Sequence, residues 1–194
     1  MIYKEHLSKD PVMAKLIAEH GEITITPSGD YFADLVSQIV GQQLSVKVAE
    51  VINRRVVDLM GGEVTPQNIQ KLTDEQLRGA GLSTGKTKYV RNIAEAVENR
   101  MLDFDNLPVQ DEDVIALLTQ VKGIGRWTAE MFLIFSLARP DVFSHGDLGL
   151  KNAIGKLYGE KTRAEVEELA QTWSPFRSYA SLYLWQSLDN TPKS

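Results

Sequence analysis

Asp147 follows the loop segment "PDVFSHG" and opens "LGLKNAIGKLYG", in which Leu150, Ala153, Ile154 and Leu157 recur at helical spacing. A helix start stabilises an ionised carboxylate through the helix dipole and offers it an unpaired backbone amide. Asp147 can therefore be an N-cap. It can also hold a fixed negative charge against a positive charge developing on a sugar. One side chain can do both. His145, two residues earlier, suits a surface or hydrogen-bonding position, and no catalytic role is assigned to it.

A second group of residues precedes the aspartate. In "VKGIG", Gly123 and Gly125 leave room for backbone N–H groups to face outward beside the N-terminus of the next helix. Such amides suit a phosphate oxygen, directly or through a monovalent cation, Na+ or K+, at the backbone carbonyls of Val121 and Gly123. Two glycines between helices are equally the mark of a plain helix–helix turn. Trp127, Met131 and Phe135 then lie four apart, a stripe usually packed in a core, but Trp127 falls on the first turn beside the glycines, where a flat ring borders whatever the hairpin grips.

The elements that must position these residues read as helices. Asp10 and Pro11 predict an N-cap and a first helical residue, with Val12, Leu16 and Ile17 as a buried stripe ending near Gly21. Glu22 to Thr26 alternates as a brief extended piece. The span Tyr31–Leu59 carries helical periodicity interrupted at Gly41 and "QQL", which predicts two helices meeting near Gln42. Thr73 and Gln76 form a capping-box pattern ahead of a helix stopped by "GAG", and a further helix is expected from Lys88 to Arg100. Asp111 is expected to cap a helix bearing Val114, Leu117, Leu118 and Val121, and Arg163–Leu188 reads as helix broken around "WSPFRSY". The fold class is all-α, with roughly eight to twelve short helices.

Composition narrows the function classes. The 194 residues contain no cysteine, which excludes disulfides, thiolate zinc sites and cysteine-held iron–sulfur clusters. The N-terminal segment is charged throughout, and no apolar run approaches a membrane span, so a cytoplasmic protein without membrane contact is expected. A net charge of −5 argues against indiscriminate nucleic-acid coating; a basic run from Arg78 to Arg100 and an acidic one from Asp103 to Asp113 suit ordinary solvated helix surface.

"VKGIGRWTAEMFLIFSL" followed by "PDVFSHGDLGLKNAI" resembles the helix-hairpin-helix DNA glycosylase superfamily, and "IVGQQLSVKVA", "GLSTGKTKYVRNIA" and "WSPFRSYASLYLW" are similar to its 3-methyladenine DNA glycosylase II type. The resemblance runs from "DPVMAKLI" to "LYLW". It implies one catalytic unit, residues 1–194, folded as two helical lobes, 31–138 and 1–30 plus 139–194, with the active site in the cleft between them. It also implies a monomer acting without a cofactor on double-stranded DNA containing alkylated bases: a purine of the 3-methyladenine or 7-methylguanine class is flipped out and its N-glycosidic bond hydrolysed.

Residue by residue, Asp147 takes the place of the family's catalytic carboxylate, and Gly123, Ile124 and Gly125 that of the phosphate-holding hairpin. Trp127, Met131 and Trp185 stand where the base pocket is lined, and Gln43 where a wedge enters the gap left by the base, with Gln42 beside it as a further DNA-binding residue. Lys86 lies in a segment similar to a loop that touches another stretch of backbone. The family's lyase branch has a lysine where Trp127 stands, so a monofunctional enzyme is expected, with Lys122 and Lys151 nearby leaving a weak lyase step open. Met131 replaces a tyrosine of some members, and no N-terminal β-rich domain is expected. The rival readings are a noncatalytic hairpin module that only grips DNA, a glycosylase for other base lesions, and a helical protein-interaction domain.

Overall fold

The structure, a computed structural model, describes residues 1–189 and is all-helical among them, with no strand. The chain forms two compact units. A central unit, Ser28–Phe132, is continuous in sequence; a terminal unit joins Met1–Pro27 to the chain from Leu133 onward.

The central unit contains α3 (Tyr31–Gly41), α4 (Val46–Leu59), α5 (Pro66–Lys71), α6 (Asp74–Gly79), α7 (Thr84–Glu98), α8 (Asp111–Leu118) and α9 (Arg126–Met131). Helix α7 packs on both α3 and α5, burying Leu35, Ile39, Ile69, Val90 and Ile93 completely; each such side chain contributes about 1.5–3 kcal/mol by leaving water. The predicted capping box is present, with Thr73 and Gln76 exchanging hydrogen bonds. Helix α7 starts four residues before the expected Lys88, because the Ser83 side chain accepts from the Lys86 amide and caps an earlier turn. Asp111 is the first residue of α8 rather than its cap, a position held by Gln110.

The terminal unit contains α1 (Ile2–Leu7), α2 (Pro11–His20), α10 (Leu148–Tyr158), α11 (Arg163–Thr172) and α12 (Arg177–Asp189). Helix α12 packs against α2 and α10, with Ala180, Tyr183 and Leu184 fully buried. The expected extended piece after α2 has no strand partner among the described residues. Instead the Tyr3 hydroxyl takes the Ile23 amide and donates to the Ile23 carbonyl, both at 2.8 Å, and the Tyr183 hydroxyl donates to the Gly21 carbonyl.

Asp10 does more than cap. One carboxylate oxygen accepts from the Val12 and Met13 amides, and the other from the Tyr158 hydroxyl at 2.8 Å and the Trp173 indole at 3.0 Å. Burial and this carboxylate together push the Tyr158 hydroxyl well above the usual phenol range. A single side chain thus ties α2 to α10 and to the end of α11.

The start of α12 fixes the loop leading to Asp147. Arg177 grips the Asp141 carboxylate through two nitrogens at 2.8 and 3.0 Å, while the Ser178 hydroxyl donates to the Arg139 carbonyl and accepts from the Val142 amide. Burial opposes ionisation of Asp141, but hydrogen bonds from Arg177 and Ser174 outweigh it and hold the carboxyl below its ordinary range.

Asp10→Ala removes the cap and strands the buried Trp173 indole and the half-buried Tyr158 hydroxyl, so chemical denaturation is expected to show a loss of about 2–4 kcal/mol, with Asp10→Asn losing less. Because the Asp141 pKa is depressed on folding, its stabilisation is complete above about pH 4 and falls away as pH drops through the lowered value. Thermal melts between about pH 2 and 5 should therefore depend less steeply on pH in Asp141→Asn than in the parent protein.

Candidate functional site

Asp147 is the N-cap of α10, and its Oδ1 accepts from the Leu150 amide at 2.7 Å. The same oxygen accepts from the indole Nε1 of Trp185 at 2.9 Å, so a residue 38 positions away fixes the carboxylate's second direction. The Trp185 ring stacks on Phe135, with centroids 5.7 Å apart and planes 28° from parallel. These two donors and the N-terminus of an 11-residue helix fix the orientation of the carboxylate.

Gly149 makes room for this arrangement. A Cβ there would lie 3.0 Å from Asp147 Oδ1 and 3.1 Å from Trp185 Cδ1 and Nε1, closer than the neighbours tolerate without moving. Gly149 is a position shaping this arrangement that sequence reasoning misses. Its signal is a glycine in the first turn of a helix, where helix propensity disfavours it.

The stripe of Trp127, Met131 and Phe135 divides. Met131 is buried at 5% exposure, whereas Trp127 is 42% and Phe135 49% exposed. After Met131 the helix widens into a π-turn, Phe132–Ser136, which changes the angular position of Phe135 relative to a continuous α-helix. Phe135, expected only as part of the stripe, is therefore an aromatic support for Trp185.

In the central unit, the hairpin residues stand between α8 and α9. At φ 115° Gly123 occupies a conformation that disfavours any side chain, and a Cβ would lie 2.3 Å from the Tyr89 ring, so only glycine fits. Ile124 is buried at 4% exposure, and its amide closes the turn by donating to the Val121 carbonyl at 3.0 Å. Gly125 caps α9 with no side chain, and space beside its Cα is open. The arms are braced by Arg126, which binds Glu112 with two nitrogens at 2.6 and 3.0 Å and Glu130 at 2.9 Å.

Gln42 and Gln43 separate α3 from α4 and behave differently. The Gln42 side chain donates to the Gly123 carbonyl at 3.3 Å and the Thr128 hydroxyl at 3.2 Å, tying this turn to the hairpin. Gln43 is exposed and adopts a positive φ of 57°. Lys86 lies within α7 rather than in a loop, and its ammonium donates to the carbonyls of Val40 at 2.8 Å and Gln42 at 2.6 Å. Burial lowers its pKa. It satisfies the C-terminal carbonyls of α3 and sets the shape of the turn presenting Gln43.

Val121 and Gly123, the carbonyls expected to offer oxygens to a cation, accept from the Ile124 amide and the Gln42 side chain. Each retains a second lone pair, so the pair is chemically compatible with Na+ or K+. Among the described residues there is no cluster of three or more His, Asp or Glu able to hold a metal, and no helix long and apolar enough to cross a membrane.

The chain is 32% identical to DNA-3-methyladenine glycosylase 1 of Schizosaccharomyces pombe, over 90% of this chain and 80% of that protein. Among solved structures, it superposes on a Schizosaccharomyces pombe 3-methyladenine DNA glycosylase in complex with abasic DNA with a TM-score of 0.90, at 32% identity and 98% coverage of both chains. A DNA-3-methyladenine glycosidase from Bacillus halodurans gives a TM-score of 0.83 at 40% identity, covering 95% of this chain and 88% of the other. The model of the HhH-GPD superfamily matches residues 36–176, a span that holds the hairpin, Asp147 and the loop between them. On that match and these likenesses, the chain belongs to the HhH-GPD superfamily of base excision DNA repair proteins.

Proposed function

We propose that this protein is a monofunctional DNA glycosylase that excises alkylated purines of the 3-methyladenine and 7-methylguanine class, with Asp147 as its catalytic residue. The observation that carries the reading is the carboxylate fixed between the Leu150 amide and the Trp185 indole at the head of α10. A target inside a duplex is out of reach, so the nucleotide swings out of the stack, at a cost of a few kcal/mol that a damaged, poorly stacked base reduces. The hairpin of Gly123, Ile124 and Gly125 holds a backbone phosphate through the two glycine amides, while the Ile124 amide closes the turn on the Val121 carbonyl, and exposed Gln43 enters the vacated gap. Gln42 and Lys86 support that turn from within. A monovalent cation at Val121 and Gly123 adds positive charge near the phosphate but takes part in no bond change.

Alkylation at N3 or N7 makes the purine cationic, and the electron-rich faces of Trp127 and Trp185 attract it by roughly 0.5–2 kcal/mol, with Met131 as a polarisable neighbour. The C1′–N bond breaks with its electron pair leaving on the base, which neutralises the base's charge; a general acid is therefore unnecessary, unlike in most sugar hydrolyses. The positive character left on C1′ is stabilised by Asp147, and water adds there, releasing its proton and leaving an abasic site. No cofactor enters this scheme, and one chain suffices to hold one base. A cytoplasmic location fits a cysteine-free protein whose substrate is DNA.

Asp147→Asn is expected to lower release of 3-methyladenine or 7-methylguanine from alkylated duplex by roughly two or more orders of magnitude while retaining affinity for abasic DNA; unchanged release would remove the assignment. Gly149→Ala separates activity from folding. Helix propensity favours alanine by up to about 1 kcal/mol and offsets part of the cost of disturbing the cap, so the melting temperature should fall by only a few degrees. The displaced indole and carboxylate should nevertheless slow single-turnover base release roughly tenfold.

A further inference from the structure

A cavity of about 240 Å³ lies within the terminal unit, and Asp147 forms part of its wall. Its apolar floor includes Leu150 and Val166, and its charged lining is Lys151 in the first turn of α10, Lys161 in the α10–α11 connection and Arg163 at the start of α11. Asp147 is the one carboxylate among the lining residues, so the cavity is positive in a protein whose net charge is −5. Neither lysine closes a salt bridge among the described residues. Arg163 pairs with Glu167 at 2.9 Å, but with its side chain 85% exposed that pair is weak and easily exchanged.

This charge is out of place if Asp147 acts alone. Cations beside a carboxylate oppose positive charge on a neighbouring sugar, which is what the aspartate is there to stabilise. An anion that arrives with the substrate removes the conflict. The cavity is smaller than the roughly 300–1,000 Å³ usual for a drug-sized ligand, which favours a sugar-phosphate fragment over a whole base. Any nucleotide whose C1′ reaches Asp147 brings its own two phosphodiesters within a sugar's breadth of that carboxylate.

We propose that Lys151 and Lys161, with Arg163 at the rim, bind a phosphodiester of the damaged strand directly attached to the flipped nucleotide, as a second phosphate grip separate from the hairpin. This inference rests on the reading of Asp147 as the catalytic group. The bound phosphate positions the sugar over the carboxylate and neutralises the cations at the moment positive charge develops. Undamaged DNA, whose nucleotides stay stacked, does not reach this grip.

The test is binding of a duplex carrying a tetrahydrofuran abasic analogue, either fully charged or with one neutral methylphosphonate immediately 5′ or 3′ of the analogue. Lys151→Gln/Lys161→Gln, at exposed and half-exposed positions, should fold normally by circular dichroism and bind the charged duplex about tenfold more weakly. Its plot of log affinity against log salt should be shallower by about 0.9 for each phosphate that the variant no longer neutralises. One of the two methylphosphonates should weaken the parent protein comparably and weaken the double variant no further. Equal losses in both proteins for both methylphosphonates, an unchanged salt slope, or the same loss in Lys156→Gln on the last turn of α10 would overturn the proposal. Because binding is read without bond cleavage, these results sink the phosphate grip alone; a parent protein that released no alkylated base would sink the reading of Asp147.

Discussion

One oxygen atom organises the terminal unit: Asp147 Oδ1, shared between a backbone amide and an indole N–H. The amide comes from the helix the residue caps, so half of the arrangement is local. The indole comes from α12 and requires α12 to lie correctly against α10. That packing rests on buried Ala180, Tyr183 and Leu184 and on the clasp of Arg177 and Ser178 around the loop before Asp147. A carboxylate held this way keeps its direction without reorganising when charge appears in front of it, which is where electrostatic catalysis gains over water. The stack of Trp185 on Phe135 extends the same support to the π-turn.

The central unit solves a different problem with similar means. Its hairpin is a tight turn kept clear of side chains, with Gly123 against Tyr89 and Ile124 turned inward. Rigidity comes from behind. Lys86 holds the carbonyls ending α3, Gln42 reaches from that turn to the Gly123 carbonyl, and Asn92 on α7 donates to the Lys122 carbonyl at 2.8 Å. Polar side chains that resemble ligand contacts in sequence are here the internal bracing of a turn that leaves Gln43 exposed.

What the sequence makes legible is local chemistry. Asp10–Pro11, the Thr73–Gln76 box, the break at Gln42 and the position of Asp147 at a helix start are all signals contained within a few residues of the feature they mark. Interactions that cross tens of positions leave no such mark. Nothing near Lys86 says that its ammonium ends a helix more than forty positions earlier, and nothing near Asp10 announces Tyr158 and Trp173. Phe135 departs from the face of Met131 for a geometric reason: regular spacing implies one face only while the helix keeps 3.6 residues per turn, and the π-turn between them breaks that count. Gly149 is visible but mute, because its reason is a ring belonging to another helix.

The discontinuous terminal unit has a consequence for biosynthesis. The central unit is one uninterrupted stretch and can close as soon as the ribosome has delivered it, whereas α1 and α2 must wait with Leu7, Met13, Leu16 and Ile17 uncovered until α10 and α12 follow. At about 5–20 residues per second that delay lasts on the order of ten seconds or more, an interval in which nascent-chain chaperones have a greasy N-terminal target. The indole that clamps the aspartate is translated after the hairpin, so a polypeptide interrupted before α12 would carry a finished hairpin but no oriented carboxylate.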